Sequence, residues 1–299
     1  MIVDIEPGKY VVAVSGGVDS IVLLDLLTKQ KDLDLVVAHY DHGVRPDSPV
    51  DRKFVATLSQ KYNLPFEFEE GHLGSSVSEE EARNQRYAFL QKIRKKYNAL
   101  AVVTAHHHDD AMETAVFNIL RGTNRKGVVA LSSSETICRP LLGKTKLDIV
   151  EYAEKNNLVW REDSTNNTDA YTRNWIRHNV MSKLSNAQRQ QLTKTHSEIR
   201  RLNTELDAAV KNQLSAIQLQ PSSIDRKKLL ALPHTVAAEV MAEWLRENNY
   251  SDFDKKTINK LVVGAKTLRS GKQIAISKNL SLEIHDQKLL LKKFSSIQN

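Results

Sequence analysis

Tyr10-Val11-Val12-Ala13-Val14-Ser15-Gly16-Gly17-Val18-Asp19-Ser20 is the run from which the rest of the chain can be read. Five apolar residues predict a buried strand, two glycines a turn, and Ile21–Lys29 a helix. The same alternation then repeats. Leu35–His39 reads as a strand and Lys53–Tyr62 as a helix. Phe66–Glu69 alternates as an outer strand would, and Ser78–Tyr97 is a long helix whose Ser78 and Glu81 have capping-box spacing. Leu100–Thr104, a helix over Asp109–Leu120, a short strand at Thr136–Arg139 and a helix over Lys146–Asn156 complete the series. Strands alternating with helices predict an α/β fold, a parallel sheet with helices on both faces.

The pattern changes after Leu184. Ala187–Ile217 is a long polar amphipathic helix, Gln220–Ser223 a break, and Val236–Glu247 and Lys255–Val263 are shorter helices. Gln273–Ser277, Ser281–His285 and Lys288–Lys292 alternate as short strands. The 299 residues fit about two domains, predicted here as residues 1–184 and a smaller, mainly helical unit over 185–299 ending in a β ribbon. Charge divides at the same place. Residues 185–299 hold 19 Lys/Arg against 11 Asp/Glu, and residues 1–184 hold 24 against 25. A near-neutral part joined to a basic one suggests catalysis plus polyanion binding. The single cysteine, Cys138, excludes an internal disulfide framework, a four-cysteine zinc site and a cysteine-held iron–sulfur cluster. No apolar run approaches the ~20 residues of a membrane span, and Met1–Glu6 lacks the features of a signal peptide. A cytoplasmic protein without a membrane partner is expected.

Ser15–Ser20 joins strand to helix. Glycines let backbone N–H groups approach an anion, the helix end adds its dipole, and two serines add hydroxyls. This is a phosphate cradle, distinct from the Walker A and dinucleotide fingerprints. His39-Tyr40-Asp41-His42-Gly43-Val44-Arg45 ends the second strand, at the sheet edge where ligands bind. Arg83, Tyr87 and Leu90 share a helical stripe with Arg86 beside it, and a guanidinium next to an aromatic suits phosphate or base contact. Thr104–Thr114 is the densest polar string. It contains His106, His107 and His108, and carboxylates of Asp109, Asp110 and Glu113 that can share a face. These acids suit Mg²⁺ or the ammonium of an amine substrate. Helix capping by Asp109 or Asp110 is the plainer alternative. Asp163–Asp169 is turn chemistry leading to Arg173, Asn174 and Arg177, the arginines being one helical turn apart.

Ser15-Gly16-Gly17-Val18-Asp19-Ser20 resembles the pyrophosphate loop (PP-loop) of the ATP-pyrophosphatase superfamily. Together with Thr104–Glu113, Leu120–Thr123, Arg139-Pro140-Leu141-Leu142 and Asp163–Arg177 in that order, it resembles the tRNA(Ile)-lysidine synthetase family. The resemblance is dense over about residues 10–184 and weak beyond. It implies an adenine nucleotide α-hydrolase-like catalytic domain and a tRNA-binding basic domain. It further implies ATP-dependent attachment of L-lysine to carbon 2 of the wobble cytidine of tRNA(Ile) with a CAU anticodon, through an adenylated cytidine. Carried over residue by residue, Ser15, Gly16, Gly17, Val18, Asp19 and Ser20 would hold ATP. Asp41, Asp109, Asp110 and Glu113 would be catalytic, holding Mg²⁺ or lysine, with Asp109 and Asp110 as the metal pair and Asp41 or Asp109 as the base. Arg83, Arg86, Arg173, Asn174 and Arg177 would face tRNA or the reacting phosphates. Cofactors are then ATP and Mg²⁺; partners are tRNA(Ile), L-lysine and, as a further candidate, a second copy of the chain. The chain departs from the family at Asn124–Gly127 and Ser182, and it ends at Asn299, before the second C-terminal domain of longer members. A tRNA thiolase is the nearest rival, disfavoured by the lone cysteine. Small-molecule amidotransfer leaves the basic part unexplained, and a non-catalytic nucleotide-binding module leaves the acidic string unexplained.

Overall fold

The computed structural model describes residues 1–41, 43, 48–71, 79–161 and 172–293, with backbone alone at 48, 79 and 172–174. Ser78, His42, Arg45 and the Asp163–Asp169 string lie outside the described residues, as do the side chains of Arg173 and Asn174. The chain divides into two compact units, Met1–Ile199 and Arg200–Asn299. The division falls within the helix Asn186–Ile217. The reason is local: Leu192 packs with Met181 and Ile176, and Thr193 hydrogen-bonds His108, so the first turns of that helix belong to the first unit.

The first unit holds a parallel sheet of β1 (Gly8–Ala13), β2 (Leu33–Asp41), β3 (Phe66–Glu70), β4 (Ala101–Val103) and β5 (Ile137–Cys138), in the order β3-β2-β1-β4-β5. Alternate residues face opposite ways. Val12, Val14, Leu35, Val37 and Val103 join one core with α1 (Val18–Thr28), α2 (Ser48–Lys61) and α6 (Lys146–Lys155). Val11, Val36, Ala38 and Val102 join the other with Phe89, Leu90 and Ile93 of α3 (Glu79–Lys96). Covering on both faces explains the unbroken apolar runs of β1 and β2. β3 is an edge strand, as its alternation predicted.

Helix α1 is buried at every position from Ser20 to Leu27. Leu23, Leu24 and Leu27 are fully covered, each contributing about 2 kcal/mol. Asp25 survives in this apolar run because its carboxylate is satisfied. It accepts from Lys29 Nζ at 2.7 Å, Tyr152 Oη at 2.8 Å and Tyr62 Oη at 3.1 Å. Burial and this carboxylate push the Tyr62 hydroxyl up to about 12. Helices α2, α3 and α6 end on Asn63, Asn98 and Asn157, all at positive φ, where asparagine tolerates the left-handed turn that closes a helix. A third packing cluster joins α4 (His108–Leu120) and α7 (Thr172–Asn179) through Ala111, Met112, Leu131 and Ile176, beside the short α5 (Arg125–Val128).

The strand order reverses between β1 and β4. Ligands of open α/β sheets bind in the crevice at such a point, beyond the carboxyl ends of the strands. Ser15–Ser20 follows β1 and Thr104–Asp110 follows β4, so the topology brings both strings to one crevice.

In the second unit the expected terminal strands are present as β8 (Gln273–Ser277), β9 (Leu280–Ile284) and β10 (Lys288–Lys293). They form more than a ribbon. β6 (Gln218–Gln220) and β7 (Ser223–Asp225), which the sequence presents as a break, extend them into an antiparallel sheet ordered β6-β7-β10-β9-β8. Strands of three residues are too short to show alternation. The rest is helical: α8 (Asn186–Ile217), α9 (Arg226–Leu230), α10 (His234–Glu247) and α11 (Lys255–Thr267). The core centres on Trp244, whose indole N–H donates to the Pro221 carbonyl at 3.0 Å. Buried Arg226 donates to the carbonyls of Ala265, Leu268 and His285, satisfying the end of α11. No described helix is long and apolar enough to cross a membrane.

Candidate active site

Gly16 carries φ +97°, in the left-handed region; a Cβ there would find room, so the requirement is backbone conformation. The turn aims three consecutive N–H groups at serine hydroxyls. Ser15 N and Gly16 N lie 3.2 Å from Ser20 Oγ, and Gly17 N lies 3.3 Å from Ser15 Oγ. Successive amides converging in this way form a nest for an anion, with the hydroxyls in the acceptor role a phosphate oxygen would take. Gly17 caps α1 without a side-chain bond, so the helix dipole end stays open to a ligand.

Behind the cradle stand β4 and α4. His107 is buried, and three carboxylates surround its ring. Asp109 lies 3.6 Å from Nδ1, Asp110 3.6 Å and Asp19 3.8 Å from Nε2. Burial opposes the imidazolium, but Asp109, Asp110 and Asp19 outweigh it and raise the pKa above the usual 6.5. His107 holds Asp109 in turn at about 2, helped by the Lys146 backbone N–H at 2.8 Å. The His107 backbone N–H donates to Asp110 at 2.9 Å. His107 Nδ1 faces the Asp109 carboxylate at 3.6 Å, longer than a hydrogen bond.

The signs of these shifts fix a pH window. Depressed Asp109 adds stability that is full above its usual 3.8 and is lost as pH falls towards 2. Raised His107 adds stability that is full below 6.5 and is lost as pH rises through its elevated value. Both contributions are present between about pH 4 and 6.5. Asp109→Asn should flatten both limbs of a plot of urea midpoint against pH; an unchanged plot would show that the pair is not coupled in solution.

Lys146 is a site residue that the sequence motifs do not single out. Its Nζ lies 2.6 Å from Asp19. The available signal is a lysine at the first position of a helix, where the dipole disfavours a cation. Glu113 is buried, and Arg177 clamps it with two bonds of 2.7 and 2.9 Å. Burial raises the Glu113 pKa against Arg177's pull. Lys146, His107 and Arg177 thus set three cations against Asp19, Asp109, Asp110 and Glu113, far less surplus negative charge than the acidic string alone suggested. Arg83 and Arg86 stack on Tyr87, with guanidinium carbons 5.0 and 5.6 Å from the ring centre. Arg139, also missing from the sequence-based set, reaches the Tyr87 hydroxyl at 3.3 Å.

Asp41 lies at the end of β2, where it accepts from Gly43 N at 2.8 Å and neighbours His39. Among the described residues no group of His, Cys, Asp or Glu is arranged as a ready metal cage. The carboxylates of Asp19, Asp109 and Asp110 remain hard oxygen donors. They suit Mg²⁺ carried by a nucleotide, which keeps waters and shares phosphate oxygens.

Several curated relatives are tRNA(Ile)-lysidine synthases. That of Thermotoga maritima is 40% identical over 188 residues, 59% of this chain and 45% of its own length. That of Thermus thermophilus is 39% identical over 56% of this chain and 34% of its own. The chain thus spans less than half the length of these relatives. A Francisella tularensis synthase is 28% identical over 98% of this chain and 76% of its own length. Among solved structures, a tRNA thiolase of Methanococcus maripaludis superposes with a TM-score of 0.52 at 13% identity, over 65% of this chain and 73% of that one. This last likeness is one of fold. The family model for the PP-loop domain matches residues 1–184, taking in the cradle, the sheet and the His107 cluster. The chain belongs to the PP-loop family.

Proposed function

We propose that the chain ligates L-lysine to carbon 2 of the wobble cytidine of tRNA(Ile) with a CAU anticodon, using ATP and releasing AMP and pyrophosphate. The observation that carries this reading is the phosphate cradle facing a buried histidine ringed by Asp19, Asp109 and Asp110. The tRNA(Ile)-lysidine synthases among the relatives support it.

In this scheme the cytosine 2-carbonyl oxygen attacks the α-phosphate and pyrophosphate leaves into the Ser15–Ser20 nest. Carbon 2 becomes electrophilic, the lysine ε-amine attacks it, and AMP departs. Asp109 and Asp110 would hold Mg²⁺, which lowers the cost of the charge on the leaving pyrophosphate. The ε-amine, with an ordinary pKa of ~10.4, must lose a proton. Asp41 or Asp109 would take that proton. Glu113 and Arg177 position each other, and Arg83, Arg86 and Tyr87 offer a stacking face for nucleotide or phosphate; Arg173 and Asn174 would face tRNA, as the family resemblance implies. The basic second unit would hold the tRNA body, in a reaction carried out in the cytoplasm. The thiolase alternative is weakened further because Cys138 is half-buried and burial pushes its thiol pKa up, away from the nucleophilic thiolate.

ATP–pyrophosphate exchange tests the reading. Exchange should require tRNA, without lysine. Exchange with ATP alone, or dependent on a different acid or amine, would point to another PP-loop reaction. Binding of tRNA should weaken steeply with salt, log K falling with a slope of about −0.7 to −0.9 per phosphate contact. A salt-independent affinity would remove the basic unit from the interface.

A further inference from the structure

The two carbonyls that bracket the start of the phosphate loop are both held from outside it. Val14 O accepts from His39 Nδ1 at 2.8 Å, and Gly16 O accepts from the Arg161 backbone N–H at 3.0 Å. A carbonyl can only accept, so His39 carries its proton on Nδ1. In a trans peptide the carbonyl and the following N–H point in opposite directions. Fixing Val14 O and Gly16 O therefore turns the N–H groups of Ser15 and Gly17 the other way, towards the serine hydroxyls that line the nest.

Arg161 does not float at that place. Its Nε donates to the carboxylate of Asp51, which is buried in the first turn of α2. The Phe54 and Val55 side chains of the same helix lie against Gly16, where an added Cβ would be in ordinary contact with both. Helix α2 thus supplies the floor of the glycine turn and, through Asp51, the anchor for the residue that fixes its orientation. Neither Asp51 nor Arg161 is part of the glycine-serine loop or of the acidic string after β4.

We propose that Arg161, anchored on Asp51, is a positioning residue for the phosphate loop: it holds the Gly16–Gly17 peptide so that its N–H faces the bound phosphate. His39 does the same for the Val14–Ser15 peptide. The role rests on the reading of this loop as an ATP site. It predicts that loosening the Asp51–Arg161 pair lowers affinity for ATP without touching the chemistry of the amine or the hold on tRNA.

Two independent measurements on the full chain test this. Hydrogen exchange of the Ser15–Gly17 amides, without ligand, should speed up about tenfold in Arg161→Met and in Asp51→Asn, roughly the loss of one charge-assisted bond. Calorimetric titration with ATP should show a Kd about tenfold weaker in both, with tRNA affinity unchanged and Arg161→Lys recovering most of the loss. Unchanged exchange together with an unchanged ATP Kd overturns the proposal. So does a variant in which exchange rises through all of β1 and α1 and tRNA binding falls as well, because the pair would then be only a fold contact. If the unsubstituted chain binds no ATP while loop exchange still responds to Arg161→Met, the clamp stands and the ATP reading falls.

Discussion

Asp19→Ala should abolish AMP formation and leave tRNA binding within a few-fold of the parent chain. Asp19 lies beside the nest, 2.6 Å from Lys146 and 3.8 Å from His107. Removing it leaves two cations facing each other at the position where phosphate charge must be arranged. Loss of one such preorganised charge costs on the order of 10²- to 10³-fold in rate. Ser15→Ala should show the same division less severely, since it removes the acceptor of the Gly17 amide. The check pairs single-turnover AMP release with filter binding of tRNA. Equal losses in both would mean that the loop shapes the whole unit, and the division of labour between loop and basic unit would be abandoned.

The second large effect is on stability. Arg177→Met should destabilise the chain by about 3 kcal/mol, because it strands the Glu113 carboxylate, only 5% exposed, without its bidentate partner. Glu113→Gln should cost less, since the half-exposed guanidinium keeps water and lies 3.9 Å from Asp110. The double variant should recover part of the loss, for buried ion pairs are often replaceable by neutral groups when both partners go. Urea unfolding of the four proteins closes the cycle. A coupling energy near zero would show that the pair contributes only an exposed ion pair.

What can be read from sequence follows from periodicity. The run into Ser15-Gly16-Gly17 and the alternation of strands and helices are enough for the parallel sheet, because β1 and β2 are buried on both faces and so must be apolar throughout. The strings after β1 and β4 can be read as candidate site residues, since they hold more polar groups at the strand ends than the capping of α4 by Asp110 requires. Their pairing is not legible. The sequence does not state that Lys146 reaches Asp19, that Glu113 is occupied by Arg177, or that Arg161 touches Gly16. These contacts join residues far apart in the chain, and only the strand order brings them together. The acidic string looks like a large surplus of negative charge because two of its cations, Lys146 and Arg177, come from elsewhere in the chain. Strands β6 and β7 escape a sequence reading because three residues carry no period, and the helix-ending asparagines because one residue type at one φ leaves no pattern.

The joining of lysine to cytidine is tested most directly by nucleoside analysis. The chain is incubated with ATP, tRNA(Ile) bearing CAU and either lysine or ornithine, and the tRNA is digested and weighed by mass spectrometry. The expected product is a lysine adduct of cytidine, with one AMP formed per adduct. Ornithine should be at least an order of magnitude poorer, because one missing methylene misplaces the attacking nitrogen by about 1 Å. An unmodified wobble cytidine with AMP still released, or an adduct formed equally from ornithine, would contradict the proposed reaction.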